Sequence, residues 1–278
     1  RDYVEKNHFP GVLLGLSGGI DSALVAVLAV DALGAKRVRA VMMPSPYNAA
    51  SSLEDAIALA ANLGIKLDDL AITPAMTAYE QILSPILGEN SGKLSGITAE
   101  NIQSRARGMI LMALSNQTGF MVLTTGNKSE IATGYATLYG DMCGGYAPIK
   151  DMYKTHLYQI VDWRNQNLPA DSRDTPIAAP IPPRIISKAP SAELRENQTD
   201  QDSLPPYDVL DAILERMIEG EAANEAIIAE GFDAGMVVQI SKLLTRAEYK
   251  RHQAAPGPKL TRRAFGRDRR YPITNGFS

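Results

Sequence analysis

The sequence predicts a doubly wound α/β fold, a parallel sheet covered by helices on both faces, with a small helical appendage toward the C-terminal end. Three observations predict it. Short apolar runs alternate with helical periodicities through the first half of the chain. The helical segments between these runs are long enough for the crossovers that parallel strands require and hairpins do not. A glycine-rich turn follows the first apolar run and opens a helix, the place where such folds collect ligands.

Taken in order, Arg1-Asp2-Tyr3-Val4 reads as the middle of a helix leading into Phe9-Pro10-Gly11, as in a domain cut from a longer chain. Residues 12–16 form an apolar strand and 21–33 a helix. A strand at 38–43 precedes a helix at 52–63, which Gly64 closes. A strand at 67–72, helices at 76–87 and 99–115 and a strand at 120–124 complete the alternation. Residues 126–155 lose periodicity in favour of glycine, tyrosine and threonine, the mark of a functional loop. Residues 169–206 are rich in proline and polar residues and read as a long loop or lid. Three short helical segments follow, at 207–219, 222–230 and 234–244. The expected organisation is therefore a main domain at 1–206, lid included, and an appendage with a basic tail at 207–278 belonging to the same unit. No internal repeat is visible.

Composition excludes several classes. With 278 residues and a net charge of −3, the chain can bury a large core and has no overall attraction to nucleic acid. No apolar stretch approaches the ~20 residues needed to span a bilayer. No signal-peptide pattern is present. Cys143 is the single cysteine, which rules out an internal disulfide or a two-cysteine metal motif; a cytoplasmic setting is expected. As a lone thiol in a glycine-rich stretch, Cys143 reads as a small packing residue.

The run Gly15-Leu16-Ser17-Gly18-Gly19-Ile20-Asp21-Ser22 builds a phosphate cradle: small residues let backbone N–H groups point inward, and the next helix adds its positive end. A Walker A loop would end in Gly-Lys-Ser/Thr, and this run has no lysine. A Rossmann site would place an acidic residue at the end of the second strand, where Pro44 and Ser45 stand instead. What remains is Ser-Gly-Gly-x-Asp-Ser, beside the alternative of a plain strand-to-helix turn with Asp21 as a cap. Asn127-Lys128-Ser129-Glu130 also follows a strand end, so Asp21 and Glu130 are the natural pair of carboxylates for magnesium on a triphosphate; a helix-start carboxylate is the alternative for Glu130. On the 99–115 helix, Asn101 and Arg105 are four apart and share a face, while Arg107 points elsewhere. A solvated surface helix explains them equally well.

The loop resembles that of the pyrophosphate-loop ATP pyrophosphatases. Together with Thr124-Thr125-Gly126-Asn127-Lys128-Ser129-Glu130, residues 134–141, Pro190-Ser191-Ala192-Glu193-Leu194 and Tyr249-Lys250-Arg251, it resembles NAD synthetases across essentially the whole chain. The similarity is greatest to the synthetase domain of the glutamine-dependent bacterial form, on account of residues 264–272. The resemblance implies an adenine nucleotide alpha hydrolase-like fold. It implies amidation of deamido-NAD to NAD through an acyl-adenylate, releasing AMP and pyrophosphate, with ammonia supplied from glutamine by a glutaminase domain to which nothing here corresponds. Residue by residue, Gly15, Leu16, Ser17, Gly18, Gly19, Ile20, Asp21 and Ser22 would bind ATP with Thr125, Lys154 and Ser191. Asp21 and Glu130 would hold magnesium, Asp21 and Lys154 would serve catalysis, and Asn101, Arg105, Glu130 and Lys250 would contact deamido-NAD. Leu138 and Gly145 depart from the lysine and aspartate of ammonia-dependent relatives, where backbone groups would have to substitute. A homodimer or larger homo-oligomer is implied as well.

That chemistry agrees with the residues present. A carboxylate is a poor acyl electrophile until ATP converts its leaving group into AMP, and no side-chain nucleophile is needed; His8, His156 and His252 are scattered. Lys154, with Lys128 beside Glu130 as a further candidate, would stabilise the phosphate charge. The basic residues between Lys250 and Arg270 suit either a solvated face or a contact with the phosphorylated dinucleotide or a second subunit. Residues 194–202 are polar enough for a lid that orders over ligand, or for plain solvated loop. Two other readings compete: another pyrophosphate-loop amidotransferase, and a nucleotide-binding module without catalysis.

Overall fold

The computed structural model describes residues 1–87, 94–174 and 177–274; residues 175–176 of the expected lid and 275–278 of the expected tail lie outside it. Helix α1 (Asp2–Lys6) leads into β1 (Val12–Gly15), α2 (Ile20–Leu33), β2 (Val38–Met42), α3 (Ala50–Leu63) and β3 (Lys66–Asp69). After these come α4 (Thr73–Leu87), α5 (Gly96–Thr118) and the two-residue β4 (Met121–Val122). All four strands pair in parallel in the order β3-β2-β1-β4. A bridge between Leu123 and Tyr146 extends the β4 edge.

Side chains alternate across the sheet, which sorts the core into two layers. Val12 and Leu14 of β1 and Ala40 of β2 join Leu24, Val27, Leu59 and Leu157 beneath one face. Leu13, Val41 and Val122 join Ile72 and Leu111 on the other. Apolar runs on both faces are what a strand buried on both sides needs. Each fully buried leucine or valine contributes about 1.5–3 kcal/mol.

Residues 126–155 are not one loop. They contain α6 (Lys128–Thr133) and the first residues of α7 (Lys154–Gln166). Asn127 caps α6: its Oδ1 accepts from Glu130 N at 3.0 Å, while Asn127 N donates to Glu130 Oε2 at 3.1 Å. A reciprocal cap of this kind stabilises a helix too short to show periodicity. The lid region likewise contains α8 (Pro183–Ser187) and a 3₁₀ turn at Asp200–Asp202.

Beyond residue 206, α9 (Tyr207–Ile218), α10 (Asn224–Ala229), α11 (Ala234–Arg246) and α12 (Glu248–Arg251) pack around Leu210, Ile213, Val237 and Ile240. This cluster also takes Ile131 and Ala132 from α6, and Tyr153 just before α7. Asp211 of α9 accepts from Ser129 Oγ at 2.5 Å and Thr155 N at 2.8 Å, fixing the starts of α6 and α7 together. No helix of the described residues is long and apolar enough to cross a membrane.

Candidate functional site

A cavity of about 550 Å³ opens at the carboxyl ends of the strands, between the glycine loop, α5 and the lid. The loop turns at Gly18, whose φ is +78° and where a Cβ would lie 2.0 Å from Ser52 O. Only glycine combines that backbone with that approach. Ser17 Oγ accepts from Gly19 N at 3.2 Å, and Ser22 Oγ donates to Gly19 O at 3.0 Å. The turn is thus preformed, leaving the amino end of α2 open to an anion.

Asp21 lies in the first turn of α2. Its Oδ1 accepts from Asn127 Nδ2 at 2.7 Å, and its Oδ2 faces Lys154 Nζ at 2.5 Å. Lys154 Nζ also lies 3.7 Å from Glu130 Oε1, and 5.3 Å from the centre of the Tyr207 ring. A third acid, Asp200, comes from the lid; its Oδ2 accepts from the Tyr207 hydroxyl at 2.7 Å. Burial, followed by the charge of Asp21, pushes the Glu130 carboxyl up to about 8, with Lys154 pulling the other way. Burial works against the Lys154 ammonium, but Asp21 and Glu130 outweigh it and hold the lysine above its ordinary value. Three carboxyls crowd one lysine, which is why Glu130 holds its proton so tightly, and the donors are hard oxygens. Such a set fits a divalent cation that takes two protein carboxylates and completes its shell with phosphate and water. Among the described residues, no group of three or more His, Cys, Asp or Glu side chains is arranged to hold a metal by itself.

The structure brings most of the expected residues to this one cavity. Gly15, Leu16, Ser17, Gly19, Ile20, Asp21, Ser22, Thr125, Glu130, Lys154 and Ser191 line it, together with Asn101 and Lys250. Gly18 turns its carbonyl to Lys188 Nζ at 3.0 Å instead. Asn101 Oδ1 accepts from Thr137 Oγ1 at 3.0 Å, and Lys250 Nζ donates to Gly134 O at 2.7 Å and Ala136 O at 2.6 Å. Both therefore hold the glycine-rich loop against the cavity.

Three expectations change. Arg105 does not reach the cavity: it is exposed and donates to Leu138 O at 3.2 Å, whereas Arg107, expected to point away, lines the wall. Lys128 does not face phosphate. It is fully buried, with Nζ 2.8 Å from Asp151, 2.6 Å from Glu219 and 2.5 Å from Thr261 Oγ1, tying α6 to the appendage and tail. The basic tail divides: Arg251 pairs with Glu248, Lys259 with Asp268 and Arg263 with Glu221, Arg262, Arg267 and Arg270 are exposed, and Lys250 is the tail cation that lines the cavity. Gly145 also gains a reason, since a Cβ there would meet Met121 Cγ at 2.8 Å beside β4. Cys143 is half-buried on the cavity wall.

Asn48, Lys188, Glu193 and Asp200 line the cavity without having been named as site residues from the sequence. Periodicity carries no signal for loop residues, and only Glu193 falls within a stretch that marked the resemblance.

The model of the NAD synthase family matches residues 1–254. Glutamine-dependent NAD(+) synthetase of Xanthomonas campestris is 56% identical over 279 residues, covering 100% of this chain and 48% of that protein. The enzyme of that name from Rhodobacter capsulatus is 56% identical, covering 99% of this chain and 49% of its own length. The structure of glutamine-dependent NAD+ synthetase from Acinetobacter baumannii in complex with ADP is 47% identical with a TM-score of 0.61, covering 100% of this chain and 48% of that one. The chain spans about half the length of the relatives it matches.

Proposed function

The chain belongs to the NAD synthase family, and from that premise we propose that it converts deamido-NAD to NAD with ATP, releasing AMP and pyrophosphate. The observation that carries this reading is the meeting of the glycine loop with Asp21, Lys154 and Glu130 on the wall of a cavity that Asn101 and Lys250 also line. Loop N–H groups and the α2 amino end hold the triphosphate. Asp21 and Glu130 would hold magnesium, which when bound neutralises the phosphate charge. The nicotinate carboxylate attacks the α-phosphorus and pyrophosphate leaves into the loop, beside the Lys154 ammonium. Ammonia then adds to the acyl carbon and AMP departs, so the work of the protein is positioning and electrostatics.

Residues 1–206 form the adenylating domain on this reading, and 207–278 complete the same catalytic unit in a cytoplasmic enzyme. Ammonia reaches the whole protein from glutamine through a glutaminase domain, as the names of the relatives suggest for them. A second copy of the chain pairs across the exposed apolar side chains Ile82 and Ile86 of α4 and Met109 of α5, which are 67%, 78% and 65% accessible. Arg105 lies beside Met109 on the same helix and would meet the dinucleotide from that side.

The test mixes the chain with deamido-NAD, ATP, magnesium and ammonium. NAD, AMP and pyrophosphate in equal amounts are expected. Folded protein that forms no NAD overturns the reading. AMP formed only with another acceptor points to a different amidotransferase, and ATP binding without pyrophosphate to a module without catalysis.

A further inference from the structure

Helix α7 begins at Lys154 without a cap of its own. Tyr153, at the N-cap position, makes no side-chain hydrogen bond to the helix, so the first N–H groups of α7 need acceptors from elsewhere. Two other elements supply them. Lys154 N donates to Ser129 Oγ of α6 at 2.9 Å, and Thr155 N donates to Asp211 Oδ2 of α9 at 2.8 Å. Ser129 Oγ lies 2.5 Å from Asp211 Oδ1. A backbone amide can only donate, so the Ser129 hydroxyl accepts from Lys154 N and sends its own proton to Asp211. Ser129, Lys154 and Asp211 are all buried, and a carboxylate at a helix amino end is favoured by the dipole and by charge-assisted hydrogen bonds.

The residues held in this way adjoin the site. Ser129 precedes Glu130, and Lys154 carries the ammonium that faces Asp21 and Glu130. The same helix meets that ammonium: Lys154 Nζ lies 5.3 Å from the centre of the Tyr207 ring, and Tyr207 and Asp211 are four apart on one face of α9. Lys128 N also donates to Met152 O at 2.9 Å, and Tyr153 packs in the core of the appendage. Those contacts keep α6 and the start of α7 together without Asp211. What Asp211 adds is the direction in which α7 sets out, and with it the place of the Lys154 head group.

Resting on the ATP-dependent reading above, we propose that Asp211 is a positioning residue for that reaction: through Ser129 and Thr155 it holds Lys154 where its ammonium meets the charge developing on the phosphates. The helical appendage thereby takes part in the chemistry, although Asp211 does not line the cavity.

The test measures NAD formation from deamido-NAD, ATP, magnesium and ammonium by the unaltered chain, by Asp211→Ala, Asp211→Asn and Ser129→Ala, and by Asp211→Ala combined with Ser129→Ala, with a melting temperature for each. A shift of ~1 Å in a catalytic group costs up to about a hundredfold, so Asp211→Ala should lower kcat at least about tenfold. The KM values for ATP and deamido-NAD should stay within about twofold, the pattern of an interaction made only in the transition state. A merely structural Asp211 would lower the melting temperature and leave kcat per folded chain as it was. Ser129→Ala should lower kcat in the same way, and the combined variant no further than Asp211→Ala alone, because the two residues act as a unit. Asp211→Asn keeps an acceptor for Thr155 N and turns its amide toward Ser129, so its kcat should lie between those of Asp211→Ala and the unaltered chain. Three results overturn the proposal and leave the ATP reading standing: unchanged kcat in folded Asp211→Ala, a KM that rises as far as kcat falls, or losses that multiply in the combined variant. Where Asp211→Ala does not fold, Ser129→Ala and Asp211→Asn, which nearly preserve the packed volume, decide by the same criterion. Failure of the unaltered chain to form NAD removes both.

Discussion

Asp21 has each carboxylate oxygen committed to a different partner, Asn127 and Lys154, so its orientation is set before any ligand arrives. Asp21→Asn keeps the volume and removes the charge. Lys154 retains Glu130, so the fold should survive. Pyrophosphate release is expected to fall at least about a hundredfold, with little change in melting temperature; near-normal release would refute the role. That Asp21 and Glu130 come together, both at Lys154, was legible because both follow strand ends, the edge where such a fold collects ligands. The direction of Lys128 follows from the cap. Residues two apart on a helix point about 200° from one another, so once Glu130 turns toward Asn127 and the cavity, Lys128 must face the other way, into Asp151 and Glu219. Knowing that α6 was a helix would have been enough to separate the two lysines.

Helix α5 presents Ile97, Glu100, Asn101, Ser104, Arg107, Gly108 and Leu111 to the cavity as one stripe. Asn101 sits at its edge, and Arg105 lies a further ~40° around the helix and falls outside it. Four-residue spacing is thus right about a shared face and silent about where that face is centred; packing against the glycine-rich loop decides it. In that loop Asp141 accepts from Thr137 N at 2.9 Å and Ser104 Oγ at 3.3 Å. Burial pushes its carboxyl up to about 6, against the opposing pull of these hydrogen bonds. The folded state therefore holds the Asp141 proton more tightly than the unfolded chain, whose value is near 3.8. This contribution, weakened by the exposure of Asp141 to solvent, is complete below pH ~4 and is lost as pH rises through about 6. Asp141→Asn should remove that component from the pH dependence of urea unfolding between pH 4 and 6, and an unchanged slope there would refute it.

Over the whole molecule, the lid reaches the cavity through Ser191, Glu193 and Asp200, and the appendage is locked on through Asp211 and Lys128. The exposed apolar face of α4 and α5 is the remaining feature at this scale. If two copies meet there, Ile82→Asp combined with Ile86→Asp should turn a dimer in sedimentation velocity into a monomer. A wild-type chain that already sediments as a monomer, or a variant that stays dimeric, removes that interface. Sequence by itself determined the alternation of strands and helices and the glycine-rich turn that opens α2, because apolar periodicity and a glycine–serine–aspartate turn are local signals. Tertiary structure alone decided which arginine of α5 lines the cavity, that Lys128 is a buried strut, and that a lid glutamate stands where β2 lacks an acid. Those outcomes depend on helix rotation and on contacts between residues as many as 145 positions apart, which no local pattern encodes.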